Sequence, residues 1–495
     1  VVKKWNGEPL QGVTISAGGV STTSDSQGHW SISGLSGTVV VSAQLQNYYI
    51  VVDGTNYETQ IEASNERTIN FTDYSETEEF GGGNGTQENP YIIVNVQQLL
   101  NMANHVPDSS DSTPLYFTQI RDIDLNDAVV PRNISSDPQP NWTPLGRSDQ
   151  PYICVYNGSE FSIKNMVVVD DGSLSNGFFH AIENSTIRNV IFENATVVAT
   201  KTFTNTGILA GSVYSGCTID NVVVRNSRVI IRVANPDFIG GLVGATYDST
   251  ITNCRVDELT IEAEYDVSIG GAIGGFVGSA QDSSSFEENL LRTTTIKGKF
   301  SQLAGGFVGL AENSFFENCD LDTLLMQDLR STVGGFAAHL SHSSFVDCDV
   351  VEATLSASDC QYAGGFVGFS RTNNFTNCTF KGRVEVGTSN SPQAYIAGFA
   401  ALAYANTDNS NFESCKVLSG SWLILTADRA GTNYICGLIG YGYGYGNDAK
   451  LILDNSFVRA KYITPDGNTN VISSAPLGFF GDWVQNGSPD AQWEQ

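Results

Sequence analysis

The chain has 495 residues, of which 53 are acidic and 25 basic, for a formal charge of -28. A surface this acidic repels phosphate backbones and anionic lipid, which argues against a nucleic-acid partner. Fifty glycines and 16 % charged residues suit a turn-rich β protein, and without an apolar run of membrane-spanning length no transmembrane helix is expected.

Residues 1–75 read as short strands separated by turn signals. EPLQGVTISAGG, TTSDSQGHWSISGL and TVVVSAQLQNYYIVV give the pattern of a small β-sandwich. Residues 76–88 are acidic and then glycine-rich, the composition of a solvated hinge. Beyond them Val96, Leu99, Leu100, Ala103 and Val106 fall at helical spacing, and Asn95 with Gln98 makes a candidate capping box. A short helix near 95–106 is therefore expected to cap the remainder of the chain. The opening VVKKWNGEP lacks an initiator Met, so a missing export signal carries no information.

Residues 89–495 form a repeat array. A glycine-centred phrase begins at residues 177, 207, 241, 275, 306, 335, 365, 398, 437 and 478, as in GLVGA, GFVGS, GFVGL and GFAAH. Ten copies at intervals of 29 to 41 residues indicate stacked structural units. Each phrase is followed by a polar stretch, an apolar residue, a pair such as Asn-Cys, and an alternating strand. From Gly244, Gly309, Ala338 and Gly368 the next cysteine comes ten residues later every time, at Cys254, Cys319, Cys348 and Cys378. A constant interval with interchangeable polar letters implies a constant backbone path. One such rung cannot bury enough apolar surface to stand alone, so the rungs must pile up as one β coil. Stacking would place Phe276, Phe307, Phe336, Phe366 and Phe399 in one line, about 4.8 Å apart. The cysteines, with Cys415, would form a buried column too widely spaced for disulfides.

Chemistry is sparse. There is no HExxH, GxSxG or CxxC pattern, so no catalytic, metal or cofactor residue is assigned. The pairs Asp320 with Asp322 and Asp347 with Asp349 alternate along strands and would be the carboxylates of a glycan-active enzyme, were there one. Asp466-Gly467-Asn468 reads as a turn. His339 and His342 form a close pair, but in a phrase that elsewhere holds unrelated residues. Trp142, in NWTPLG, is expected to pack at the first rung. The binding candidate is YGYGYG, where a period of two puts Tyr441, Tyr443 and Tyr445 on one face as a strip suited to sugar or protein contacts.

Two stretches resemble known families. The Gln11-Gly12-Val13, Asp25, Gly28 and Trp30 positions resemble carboxypeptidase regulatory-like domains, with Asn47-Tyr48 replacing the usual Gly-Tyr. FGGGNGTQENPYIIVNVQQLL, QIRDIDLND, NWTPLG, YNGSEFSIKNMVV and the GGFVG phrases resemble, in that order, bacterial GLUG-repeat surface proteins. Cys154 and Tyr156-Asn157-Gly158 depart from that pattern. The second resemblance implies a right-handed parallel β-helix on an exported, adhesin-like protein of the bacterial surface. A monomer that binds an extracellular glycan or protein ligand is expected; a non-catalytic stalk and a glycan-active β-helix enzyme remain the alternatives.

Overall fold

A computed structural model describes residues 1–52, 58–62, 69–106, 113–127, 138–169, 174–264, 271–298, 303–387, 393–406, 408–425, 432–445, 451–454, 456–463, 469–472 and 480–486. They fall into two compact units. The first comprises Val1–Val129, Ile153–Lys164 and Ile187–Val190; the second comprises Val130–Tyr152, Asn165–Thr186 and Ile191–Gln495.

In the first unit, strands Val2–Lys4, Phe71–Ser75 and Tyr48–Val52 make one sheet, and Thr14–Ala17, Val20–Thr23, Thr38–Gln44 and Glu58–Glu62 another. Period-two alternation turns Val13, Ile15, Val41, Ile50 and Phe71 into a common core. Asp73 lies on the inner face of its strand, 1 % exposed, and burial raises its carboxyl to about 6.

The acidic 76–88 segment, expected as a solvated hinge, is instead bonded into this unit. Asn95 Nδ2 and Gln98 Nε2 donate to the Glu76 and Ser75 carbonyls at 2.9 and 2.8 Å, and Asn101 Nδ2 donates to the Glu79 carbonyl. Arg121 meets Glu76 at 2.9 Å, and Phe80 stacks on Tyr91. Amides from the helix supply the partners that a composition-based reading assigns to water. The helix itself is Val96–Asn101, followed by a 3-10 turn, Met102–Asn104. Asn95 caps it by accepting from the Gln98 N–H, while Gln98 Oε1 accepts from the Val94 N–H. Leu99 and Met102 are buried, whereas Ala103 and Val106 of the anticipated apolar face are exposed. Tyr91–Ile93, Leu115–Gln119 and Cys154–Asn157 then pair in parallel as the first turns of a β coil.

The second unit is a parallel β-helix. One of its sheets has ten strands in sequence order: Phe179–Ile182, Ala210–Val213, Val243–Tyr247, Val277–Gln281, Val308–Glu312, Ala337–Ser341, Val367–Arg371, Ala400–Ala405, Ile439–Tyr445 and Phe480–Asn486. Among the described residues, each glycine phrase from Gly177 to Gly437 is the bend that leads into one of these strands. Within it the aromatic residue points inward, so Phe276, Phe307, Phe336, Phe366 and Phe399 stack face to face at 4.6, 4.8, 4.9 and 4.7 Å between centroids. A second column, Phe286, Phe316, Phe345, Phe375 and Phe412, runs beside it at 4.6 to 5.2 Å. The two columns meet edge to face, as at Phe316 and Phe336, 88° apart. Stacking along the coil and edge contacts across it satisfy both preferred aromatic geometries at once. Trp142 packs as expected, stacked on Phe178 at 4.5 Å with its indole N–H donating to the Phe178 carbonyl.

Corners explain the polar letters. Residues with left-handed backbone occur five apart, at Asp248 and Asn253, Asn313 and Asn318, His342 and Asp347, and Thr372 and Asn377. Each of these eight is followed by Ser, Cys or Asn, whose side chain points inward and mends the hydrogen-bond ladder that the corner interrupts. Ser343 Oγ donates to the Ser341 carbonyl and accepts from the Ser314 N–H one rung earlier. Asn373 Oδ1 accepts from the Ser343 N–H in turn. In the other column Cys348 Sγ donates to the carbonyls of Val346 and Phe316, and Cys319, Cys378 and Cys415 repeat that arrangement. The cysteines are thus hydrogen-bond donors as well as small apolar fillers. All nine are buried free thiols, and burial pushes those of Cys217, Cys254 and Cys436 up to about 12.

These contacts can be tested in solution. A Cβ at Gly306 would collide with the Gly335 carbonyl oxygen of the next rung, so Gly306→Ala should destabilise the coil by roughly 1–3 kcal/mol in denaturant unfolding. The raised Asp73 carboxyl contributes stability that is full below the ordinary carboxylate range and lost as pH rises through about 6. Unfolding of the N-terminal sheets should therefore become easier between about pH 4 and pH 7, and Asp73→Asn should flatten that slope. Native protein should leave its nine thiols unmodified by iodoacetamide, with labelling appearing in the intact mass only after denaturation.

Candidate functional site

The outer surface of the second unit changes character where the glycine phrases bend the chain. In the rung that ends at Gly364, the long strand Asp349–Gly364 delivers Tyr362 to the bend, and strand Val367–Arg371 carries Phe369 away from it. Phe366 between them points inward, yet Tyr362 and Phe369 meet edge to face at 6.1 Å. Side chains on either side of the bend touch outside the core, so the bend is re-entrant and its outer face is a crevice.

Parallel register continues both walls of that crevice into the neighbouring rungs. Leu303, Thr332, Tyr362 and Tyr395 are in-register neighbours along one wall. Ser279, Leu310, His339, Phe369, Leu402 and Tyr441 are in-register neighbours along the other. Tyr362 stacks on Tyr395 at 5.6 Å, His339 lies 4.5 Å from Phe369, and Tyr395 is 5.1 Å from Tyr441. Leu310, His339, Tyr362, Phe369 and Tyr441 are half-buried, and Tyr395 and Leu402 are nearly covered. Burial pushes the Tyr362 phenol up, with Tyr441 adding to it, and pushes the His339 imidazole down, with Arg371 adding to it. His339 is consequently neutral at pH 7. Two residues beyond Phe369, Arg371 lies over the Tyr404 ring at 6.0 Å from its centroid.

The segment expected to present three tyrosines is extended, in strand Ile439–Tyr445. Tyr441 joins the crevice as its last described aromatic ring; the side chains of Tyr443 and Tyr445 lie outside the described residues, as does Asp466-Gly467-Asn468. The rings that accompany Tyr441 come from earlier rungs, so the aromatic surface runs across strands. A sequence signal existed in the positions flanking each glycine phrase, as in QYAGGFVGF and AYIAGFAAL, but only the register makes those positions neighbours.

Of the two expected carboxylate pairs, Asp320 and Asp322 do alternate on strand Asp320–Gly334, with Leu321 buried between them, but Asp347 and Asp349 do not. Asp347 sits on a left-handed corner before the strand that begins at Asp349, so these two do not alternate on one strand. Asp349 is instead the in-register neighbour of Asp320, donating its backbone N–H to Asp320 Oδ1 at 3.2 Å and accepting from Thr379 Oγ1 at 2.6 Å. Desolvation and then Asp349 push the Asp320 carboxyl up. Among the described residues no cluster of three or more His, Cys, Asp or Glu side chains is placed to hold a metal ion. Nor is any described helix long and apolar enough to cross a membrane.

Comparison with known proteins locates one motif and several partial likenesses. Residues 239–262, from the bend before Leu242 to the strand after Cys254, match the GLUG motif. A "Putative Gly-rich membrane protein" of Evansella cellulosilytica is 26% identical over 204 residues, which is 36% of this chain and 22% of that protein. The chain thus matches about a fifth of the length of that relative. Among solved structures, a "putative immunoglobulin A1 protease from Bacteroides ovatus" aligns with 56% of this chain and 80% of its own, at 24% identity and a TM-score of 0.42. An "IgA1 Protease" aligns with 71% of this chain and 29% of its own, at 14% identity and a TM-score of 0.31.

Proposed function

We propose that this protein is displayed outside a bacterial cell, at the surface or secreted, and binds glycan or protein ligands there as an adhesin-like module without catalysing a reaction. The observation that carries the reading is the crevice of the second unit, where one wall repeats Tyr362 and Tyr395 and the other His339, Phe369 and Tyr441. Tyr362 and Tyr441, both half-buried, offer an apolar edge and a polar tip at small entropic cost, which suits a surface that binds and releases. Tyr441, Tyr443 and Tyr445 are the proposed ligand-contacting residues at its C-terminal end. The GLUG motif and the parallel β-helix support an exported role. The acidic surface supports a partner that is neither nucleic acid nor anionic membrane.

Binding of the purified protein to an array of glycans and extracellular proteins tests this. Wild type is expected to retain a defined subset of ligands, and Tyr441→Ala to lose them without a change in thermal midpoint. Retention of nothing, or identical retention by the variant, would remove the crevice from the binding role. Release of soluble sugar fragments would instead favour the enzyme alternative, for which the Asp320 and Asp349 carboxylates are the residues to substitute.

A further inference from the structure

One cation beside the crevice is unmatched. In a chain with 53 acidic and 25 basic residues, Arg121, Arg147, Arg225, Arg232, Arg255, Arg292 and Arg383 each have a carboxylate within 4 Å. Arg371 has none among the described residues, and its guanidinium makes no hydrogen bond to them; its Nε is buried without a partner. The Nε atoms of Arg255 and Arg292 are buried without a partner as well, but those two guanidinium groups have Asp257 beside them, so what distinguishes Arg371 is the missing carboxylate in a protein with carboxylates to spare. The Tyr404 ring, at 6.0 Å from the guanidinium carbon, sits at the outer limit of a cation–π contact and does not replace a hydrogen bond. Glu312 shares this lane, in register with Ser341 and thus two rungs before Arg371, and forms no ion pair with it.

The surroundings suit an incoming oxyanion. Arg371 follows Phe369 by two residues on strand Val367–Arg371, so both point outward beside the crevice. His339, close enough for Arg371 to depress its imidazole, is the in-register neighbour of Phe369 and brings an N–H without a second charge. Tyr404, in register with Arg371, and Tyr362, on the opposite wall, add rings with hydroxyl tips. The strands on this face are bonded on both sides to the rungs before and after them, so no free strand edge is offered to a peptide backbone. The ligand must be read by side chains alone.

We infer that Arg371, with His339, Tyr362 and Tyr404, forms a subsite for the carboxylate of an acidic saccharide. The guanidinium holds the carboxylate with two parallel N–H donors, and the neighbouring rings cover the apolar face of the sugar. This rests on the binding role proposed above and narrows its ligand class.

The test is calorimetric titration of the whole chain with oligogalacturonate, a sialylated oligosaccharide, a neutral galacto-oligosaccharide and poly-glutamate, each at low and high salt. At least one of the two acidic saccharides is expected to bind about tenfold more tightly than the neutral sugar and poly-glutamate, and more weakly at high salt. Arg371→Gln should abolish that preference and Arg371→Lys restore part of it, both with the wild-type thermal midpoint. Wild-type affinity in Arg371→Gln, tighter binding of poly-glutamate, or no preference for either acidic saccharide would overturn the inference. Neutral sugar bound in a Tyr441-dependent way would leave the binding role standing while the acidic subsite falls. Silence from all four probes, together with an empty array, would remove both.

Discussion

Parallel hydrogen bonding of one rung to the next is the constraint on which the second unit depends. It fixes equivalent residues about 4.8 Å apart, a spacing that parallel rings meet by stacking with an offset. Every position is thereby forced to be compatible with itself. Phenylalanine meets this demand by stacking, as from Phe276 through Phe399. Glycine meets it at the bend, where Gly306 and Gly335 bring backbones together with no room for a side chain. On the outside, opposite charges alternate: Arg225, Asp257, Arg292 and Asp322 are successive in-register neighbours, and Glu193 meets Arg225 at 3.2 Å.

The same rule decided what a linear reading reaches. The glycine phrase announces the coil because it recurs as letters, and the first phenylalanine column is legible with it because each Phe sits inside it. The corners recur as a backbone conformation instead. Asn253, His342, Thr372 and Ser414 all adopt the left-handed region, so no single letter marks them. The second phenylalanine column and the donor role of the cysteines depend on those corners and stay hidden with them. Segment 76–88 misled for a related reason: its partners are amides of Asn95, Gln98 and Asn101, which composition alone does not place.

The candidate site was legible only in part. Tyr441 stands out in YGYGYG, and the structure gives it a half-buried place on an aromatic surface. Its neighbours Tyr395 and Leu402 lie about forty residues earlier, and Arg371 stands out only when it is set beside arginines such as Arg225, Arg232 and Arg383 that meet carboxylates. Local pattern shows which residues are available to bind. Register shows which of them meet, and charge accounting shows which is unsatisfied.

The corner side chains have one further consequence. Ser343 bonds backward to Ser314 and forward to Asn373 through groups that any turn of the coil possesses. Such a joint is indifferent to its own address in the chain. Whole turns can therefore be gained or lost by duplication or excision without redesigning the joints, and the lineage can lengthen or shorten its reach while the chemistry displayed on any single turn drifts independently.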